Sequence, residues 1–228
     1  MYEGTFDGSK VYLKRVRRHT LESPEISAKV CRGYYPLSHW PSLTTSQTFR
    51  EEAVTWKYLD HPNVLRFQGV TTKPLQIISD WMPGGTLPEY IKKNPGADRI
   101  QLVGAAPNVL ISDLPPQLSG VAKGLDYLHS RNVIHGVIKG VRDHPKSHFV
   151  RALIPGQRNI LVDAEGRARI MGFRFAKVTP NEDSGQTVSN QHVGSKQWSA
   201  PEVLEDGEMS QKSDIFSFAM VMIEARHG

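Results

Sequence analysis

Two short passages, V-I-H-G-V-I-K-G from Val133 to Gly140 and R-N-I-L-V-D from Arg158 to Asp163, decide how this chain is read. Between them stand Val141 to Gln157, a segment of different character. With that segment set aside the text becomes V-I-H-G-V-I-K-G-R-N-I-L-V-D. Among its polar side chains are His135, Lys139 and Asn159. Ile160 to Val162 and Ala168 to Met171 read as strands paired across the turn Ala164-Glu165-Gly166. Upstream, Leu118 to Ser130 is helical, with Val121, Leu125 and Leu128 on one face. Arg99 to Leu102, including Ile100, extends the same helical pattern if Val103 to Gln117 is set aside.

Further out the elements continue. Residues 1 to 20 read as two strands around Asp7-Gly8, with V-Y-L-K-R-V alternating apolar and polar. Thr48 to Asp60 reads as a helix capped by Thr48 with Glu51 three residues on, and Phe49, Ala53, Trp56 and Leu59 share a face. Val64 to Val70 and Leu75 to Ser79 read as strands. Leu87 to Lys93 reads as a short helix stopped by Asn94-Pro95-Gly96. Gly185 to Gln197 is a polar loop. Ile215 to Ile223 is apolar on nearly all sides apart from Ser217, the pattern of a helix buried all round.

Composition narrows the class. The 228 residues suit one core or two small lobes. Net charge is +5, with basic residues spread along the chain, which favours a solvated surface over a nucleic-acid groove. Cys31 is the single cysteine, which excludes a disulfide framework and a Cys-based zinc site. His144 and His148 are four apart, but nothing in their segment supports the helix a metal pair would need. No apolar run spans a membrane and no leader-like segment opens the chain, so a cytoplasmic, intracellular protein is expected, with no nucleic-acid or membrane partner.

The joined text resembles the catalytic loop of protein kinases, H-R-D-L-K-x-x-N-I-L, a signature of phosphoryl transfer. Other motifs of that family follow in order across nearly the whole chain. V-Y-L-K resembles the V-A-I-K strand. H-P-N-V-L follows the first helix. I-I-S-D-W-M-P-G-G-T-L resembles the hinge between lobes. I-M-G-F-R-F-A stands for I-x-D-F-G-L-A, and G-S-K-Q-W-S-A-P-E for G-T-x-x-W-x-A-P-E. K-S-D-I-F-S-F-A-M-V-M-I-E matches the buried helix of the larger lobe. Gly194-Ser195 and Lys139 place the likeness on the Ser/Thr side, near the tyrosine-kinase-like group.

The resemblance implies a bilobal α+β fold. An antiparallel sheet, a helix and the hinge form the N-lobe, residues 1–82; a mostly helical C-lobe spans residues 83–228. The Gly-rich phosphate loop and the helices after the last motif are missing from the pattern, so a domain truncated at both ends is expected. Lys14 takes the place of the phosphate-pairing lysine and Glu52 that of its partner; Ser79 is the gatekeeper, and Asp80 to Met82 would meet adenine. Lys139 and Asn159 keep their places in the catalytic loop, with Asn159 a residual metal ligand. Val137 stands at the catalytic Asp and Gly172 at the magnesium-binding Asp, while Arg174 replaces a glycine. Trp56, His135, Phe173, Glu202 and Asp214 match structural positions. Ser184, Thr187 and Ser189 are candidate phosphosites. ATP would then bind weakly or not at all, and Mg²⁺ binding would be lost.

The function implied by descent is ATP-dependent phosphorylation of protein Ser/Thr or Tyr, impaired or dead as in a pseudokinase. The alternatives are an active kinase with a substitute carboxylate, Asp143 being nearest in sequence, a non-catalytic scaffold, and a translation never made as stable protein. Substrate and protein partner stay open.

Three segments, 30–47, 103–117 and 141–157, interrupt the pattern. Each begins with Val and ends with Gln, whose codons can supply the GT and AG ends of an intron. Their similar short lengths suit fungal introns, and removing them restores continuity at Lys29-Thr48, Leu102-Leu118 and Gly140-Arg158. The alternative is three surface loops. Pro107, Pro115 and Pro116 would break any helix running through the second, since an interior Pro costs ~3 kcal/mol. The expectation is that all three are loops with few core contacts.

Overall fold

The computed structural model describes residues 2–15, 30–31, 44–72, 74–94, 114–139, 159–179, 186–187 and 196–227. Asp7 and Gly8 both take positive φ, 47° and 74°, the geometry of a two-residue turn whose twist matches a hairpin. They join β1 (Tyr2–Phe6) to β2 (Ser9–Arg15), with Phe6 opposite Ser9. β2 pairs antiparallel with β5 (Leu75–Asp80), which pairs with β4 (Phe67–Thr72), and β3 (Val30–Cys31) closes the sheet. The order is β1-β2-β5-β4-β3, all antiparallel.

α1 (Thr44–Lys57) lies against this sheet. Phe49, Ala53 and Trp56 are buried at helical spacing, and Leu59 continues the face beyond the helix end. The helix starts four residues before Thr48. That residue is therefore inside the helix rather than its cap, because nothing from Thr44 to Gln47 breaks a helix. The strand expected from Val64 begins instead at Phe67; Val64 makes an isolated bridge to Ile170.

The second lobe begins with β6 (Gly85–Thr86) and α2 (Leu87–Lys93). Thr86 and Glu89 form a reciprocal capping box, which fixes how the chain leaves the hinge. α3 (Pro116–Ser130) buries Leu118, Val121, Leu125 and Leu128. Pro116 sits in its first turn, where a missing N–H costs nothing. β7 (Val133–Ile134) leads into the loop Gly136–Lys139. β8 (Ile160–Val162) and β9 (Ala168–Ile170) pair as expected, and β6 joins them to make a three-stranded sheet. A 3-10 turn (Phe173–Phe175), β10 (Lys177–Val178), β11 (Gln186–Thr187) and a second 3-10 turn (Lys196–Trp198) follow. α4 (Pro201–Glu205), β12 (Glu208–Met209) and α5 (Gln211–His227) complete the order.

The inserted segments do not all behave as spare loops. Val30 and Cys31 pair with Thr71 and Val70, and Thr44 to Gln47 form the first turn of α1. In the second segment, Gln117 is buried and its Nε2 donates to the Gly166 carbonyl at 3.1 Å. The ends of both segments thus supply backbone and side-chain partners that neighbouring elements need. The third segment lies outside the described residues, as do Arg99 to Leu102 and with them the expected extension of α3.

The last helix is buried on one side only. α5 buries Ser213, Asp214, Ser217, Phe218 and Val221, but Ile215, Phe216 and Ile223 are exposed. Among the described residues no helix is long and apolar enough to cross a membrane, and no group of three metal-ligating side chains is assembled.

Candidate functional site

A column of rings joins the two lobes. Trp56 of α1 is fully buried, and its ring centroid lies 5.5 Å from that of Phe173. Phe173 in turn meets His135 edge-on at 5.3 Å. The Val137 amide donates to His135 Nδ1 at 3.3 Å, and His135 Nε2 lies 3.1 Å from the Met171 carbonyl. One ring nitrogen therefore accepts and the other donates, which is a neutral imidazole. Burial agrees: desolvation lowers the His135 pKa, against the opposing pull of Asp214 and of the Met171 hydrogen bond.

Asp214 of α5 holds this loop from beneath. Its two oxygens accept from the His135 and Gly136 amides, each at 2.8 Å, and Oδ2 also lies 3.0 Å from His129 Nε2. A carboxylate with three such partners is satisfied despite 1% exposure. His129 was not singled out in the sequence. Only the packing of α3 on α5 brings it 85 residues from Asp214 into contact.

Lys14 of β2 and Glu52 of α1 form an ion pair across the N-lobe, with Glu52 5% exposed. Strand alternation places Lys14 on the sheet face toward α1. Lys139 is 7% exposed, and desolvation lowers its pKa.

The two altered positions sit close to one another. Val137 is 5% exposed and presents an isopropyl group. The Asn159 Nδ2 donates to the Val137 carbonyl. The other end of that amide, Oδ1, packs on Gly172, so that a Cβ built on Gly172 would collide with it. Gly172 takes φ 91° and ψ 52°, a left-handed backbone that suits glycine and strains other residues. No carboxylate stands at either place. Mg²⁺ prefers oxygen ligands with carboxylate charge, and this arrangement does not fit it.

At the hinge, Ser79 and Met82 are buried, and the Met82 carbonyl accepts from the Gly85 amide at 3.0 Å. Asp80 accepts from Gln68 Nε2 at 2.6 Å. Tyr12 of β2, which the sequence reading passed over, has its ring 4.5 Å from Trp81. Arg174 is exposed and lies over the Phe175 ring at 5.5 Å. Glu202 is half-buried in the first turn of α4. Thr187 stands in β11 opposite Glu208. Ser184, Ser189, Asp143 and the His144/His148 pair lie outside the described residues.

A five-stranded antiparallel sheet with one helix, set on a mainly helical lobe and joined to it through a hinge and a ring column, is the architecture of protein kinases. The sequence profile described as protein tyrosine and serine/threonine kinase matches residues 26–141 and 151–227, and the chain belongs to that family. Serine/threonine-protein kinase STY46 of Arabidopsis thaliana is 26% identical over all of this chain, which covers 31% of that protein. Ephrin type-B receptor 1 of Gallus gallus is 29% identical over 97% of this chain, which covers 19% of the receptor. Ephrin type-B receptor 2 of the same organism is 29% identical over 77% of it. The chain thus spans a third or less of these relatives. The profile match breaks between residues 141 and 151, inside the third inserted segment.

Proposed function

We propose that this domain keeps the kinase fold without useful phosphoryl transfer, and that it acts as a non-catalytic protein-binding module. The observation carrying this is the Val137–Asn159–Gly172 arrangement. Phosphoryl transfer needs a carboxylate to accept the substrate hydroxyl proton, and an isopropyl group cannot accept one. A general base is worth ~10²–10⁴ in rate, which is roughly 3–5 kcal/mol of barrier. The loss at Gly172 removes a metal carboxylate as well, and the two losses act on one unit rather than adding. Meanwhile the ring column, the Asp214 anchor and the Lys14–Glu52 pair, which shape the fold, are all in place. ATP binding is weak in this reading, and Mg²⁺ does not improve it.

The test is incubation of the chain with γ-labelled ATP, Mg²⁺ and generic Ser/Thr and Tyr substrates. The expected result is no transfer above background. Label transfer that disappears in Lys14→Met would overturn the proposal.

A further inference from the structure

Tyr12 and Lys14 alternate onto the same face of β2. That face looks toward α1 at Lys14, where the ammonium meets Glu52. Two residues nearer the hinge, Tyr12 stands opposite Ser79 in the β2–β5 register, and Val11 stands opposite Asp80. The Tyr12 ring leans on Trp81 with centroids 4.5 Å apart and planes tilted by 34°. Lys10, also on this face, places its Nζ 5.6 Å from the Trp81 ring and bonds Glu3 at 2.7 Å. The aromatic pair is therefore braced at the strand end of the hinge.

From this we infer that Tyr12 plugs the base-binding end of the cleft, so that the chain excludes a purine from its own hinge. The inference rests on the kinase-cleft reading of the site. A planar base slid between two rings needs them about 7–8 Å apart, twice an optimal contact of about 3.5–4.0 Å. The pair leaves too little room for that. Beside the pair, Ser79 is 3% and Met82 4% exposed, and the Met82 carbonyl accepts from the Gly85 amide. A phenol in contact with an indole also replaces the attraction that a base would gain by stacking there. Weak nucleotide binding then has a steric cause at the base, separate from the lost carboxylate at the phosphate end.

The experiment titrates adenosine, ATP and inorganic tripolyphosphate, each with and without Mg²⁺, into the full chain, Tyr12→Phe and Tyr12→Ala, by calorimetry. Adenosine should show no saturable binding to the wild-type chain or to Tyr12→Phe at millimolar concentration. In Tyr12→Ala, adenosine and ATP should tighten at least tenfold, and tripolyphosphate should not change. Submillimolar adenosine binding by the wild-type chain overturns the plug whether or not Tyr12→Ala folds. So does a folded Tyr12→Ala with no gain. If adenosine binds the wild-type chain while label transfer stays at background, the plug fails and the silent-kinase reading stands. If Tyr12→Ala binds ATP and still transfers nothing, both stand.

Discussion

Gly172 shows how one residue fixes the state of the site. Its left-handed backbone and the Asn159 side chain packed on it leave no place for a Cβ. Restoring a carboxylate there is therefore a structural change before it is a chemical one. Gly172→Asp and Gly172→Ala should lose similar stability, roughly 1–3 kcal/mol for the strained backbone. At about 2–4 °C per kcal/mol for a chain of this size, thermal melting should fall by roughly 2–12 °C in both. A Gly172→Asp protein as stable as the parent would mean that the backbone relaxes freely. His135 carries a second residue-scale consequence. Its native pKa lies below the ordinary 6.5 because burial disfavours the imidazolium. Between that lowered value and 6.5 the unfolded chain binds more protons than the folded one, so stability rises with pH. It is fully present above about pH 6.5 and is lost as pH falls toward the native pKa. The limit for one group is about 1.4 kcal/mol per pH unit. His61, also lowered by desolvation, adds a term of the same sign. His135→Phe should melt lower at pH 8, having lost two hydrogen bonds, yet show a shallower fall in melting temperature from pH 7 to 5. An unchanged slope would remove His135 as the source.

Between elements, the Lys14–Glu52 pair ties β2 to α1. Glu52 is buried, so removing its cation leaves a carboxylate out of water. Breaking a buried pair costs ~3–5 kcal/mol. The low end applies here, because the Lys14 side chain keeps 21% exposure. Denaturant unfolding of Lys14→Met should show about 3 kcal/mol lost, and Lys14→Met with Glu52→Leu should recover part of it. A double variant no more stable than Lys14→Met would locate the cost elsewhere. Lys14 and Glu52 were legible because each lies beside a local motif, V-Y-L-K and H-P-N-V-L. The start of α1 was not legible, since Thr44 to Gln47 carry no strong signal of either kind and the capping pattern at Thr48 was equally good text. Contacts such as His129 to Asp214 had no signal at all, because the pairing depends on how α3 crosses α5.

At the scale of the molecule, α5 presents an apolar strip to solvent. Phe216 and Ile223 are seven residues apart, nearly in line on a helix, and Ile215 flanks them. Exposed apolar patches favour association. The chain should bind a hydrophobic dye and should self-associate at high concentration. Ile215→Glu with Ile223→Lys should reduce dye binding while altering stability by no more than about 0.5 kcal/mol per site, as for other surface changes. A monodisperse parent that ignores the dye would contradict this.

What the sequence determined alone was the order of the main elements and the family. Those are local properties: periodicity, turn residues and short motifs hold their meaning within a few positions. The Asp7-Gly8 hairpin and the buried faces of α1 and α3 were legible for the same reason. Only the tertiary structure decided that ends of two inserted segments belong to β3, α1 and α3, that Asn159 closes over Gly172, and that Tyr12 reaches Trp81. Each is a meeting of groups distant in sequence. Their distance and angle follow from how sheet, helix and hinge pack, and no periodicity in the chain encodes that packing.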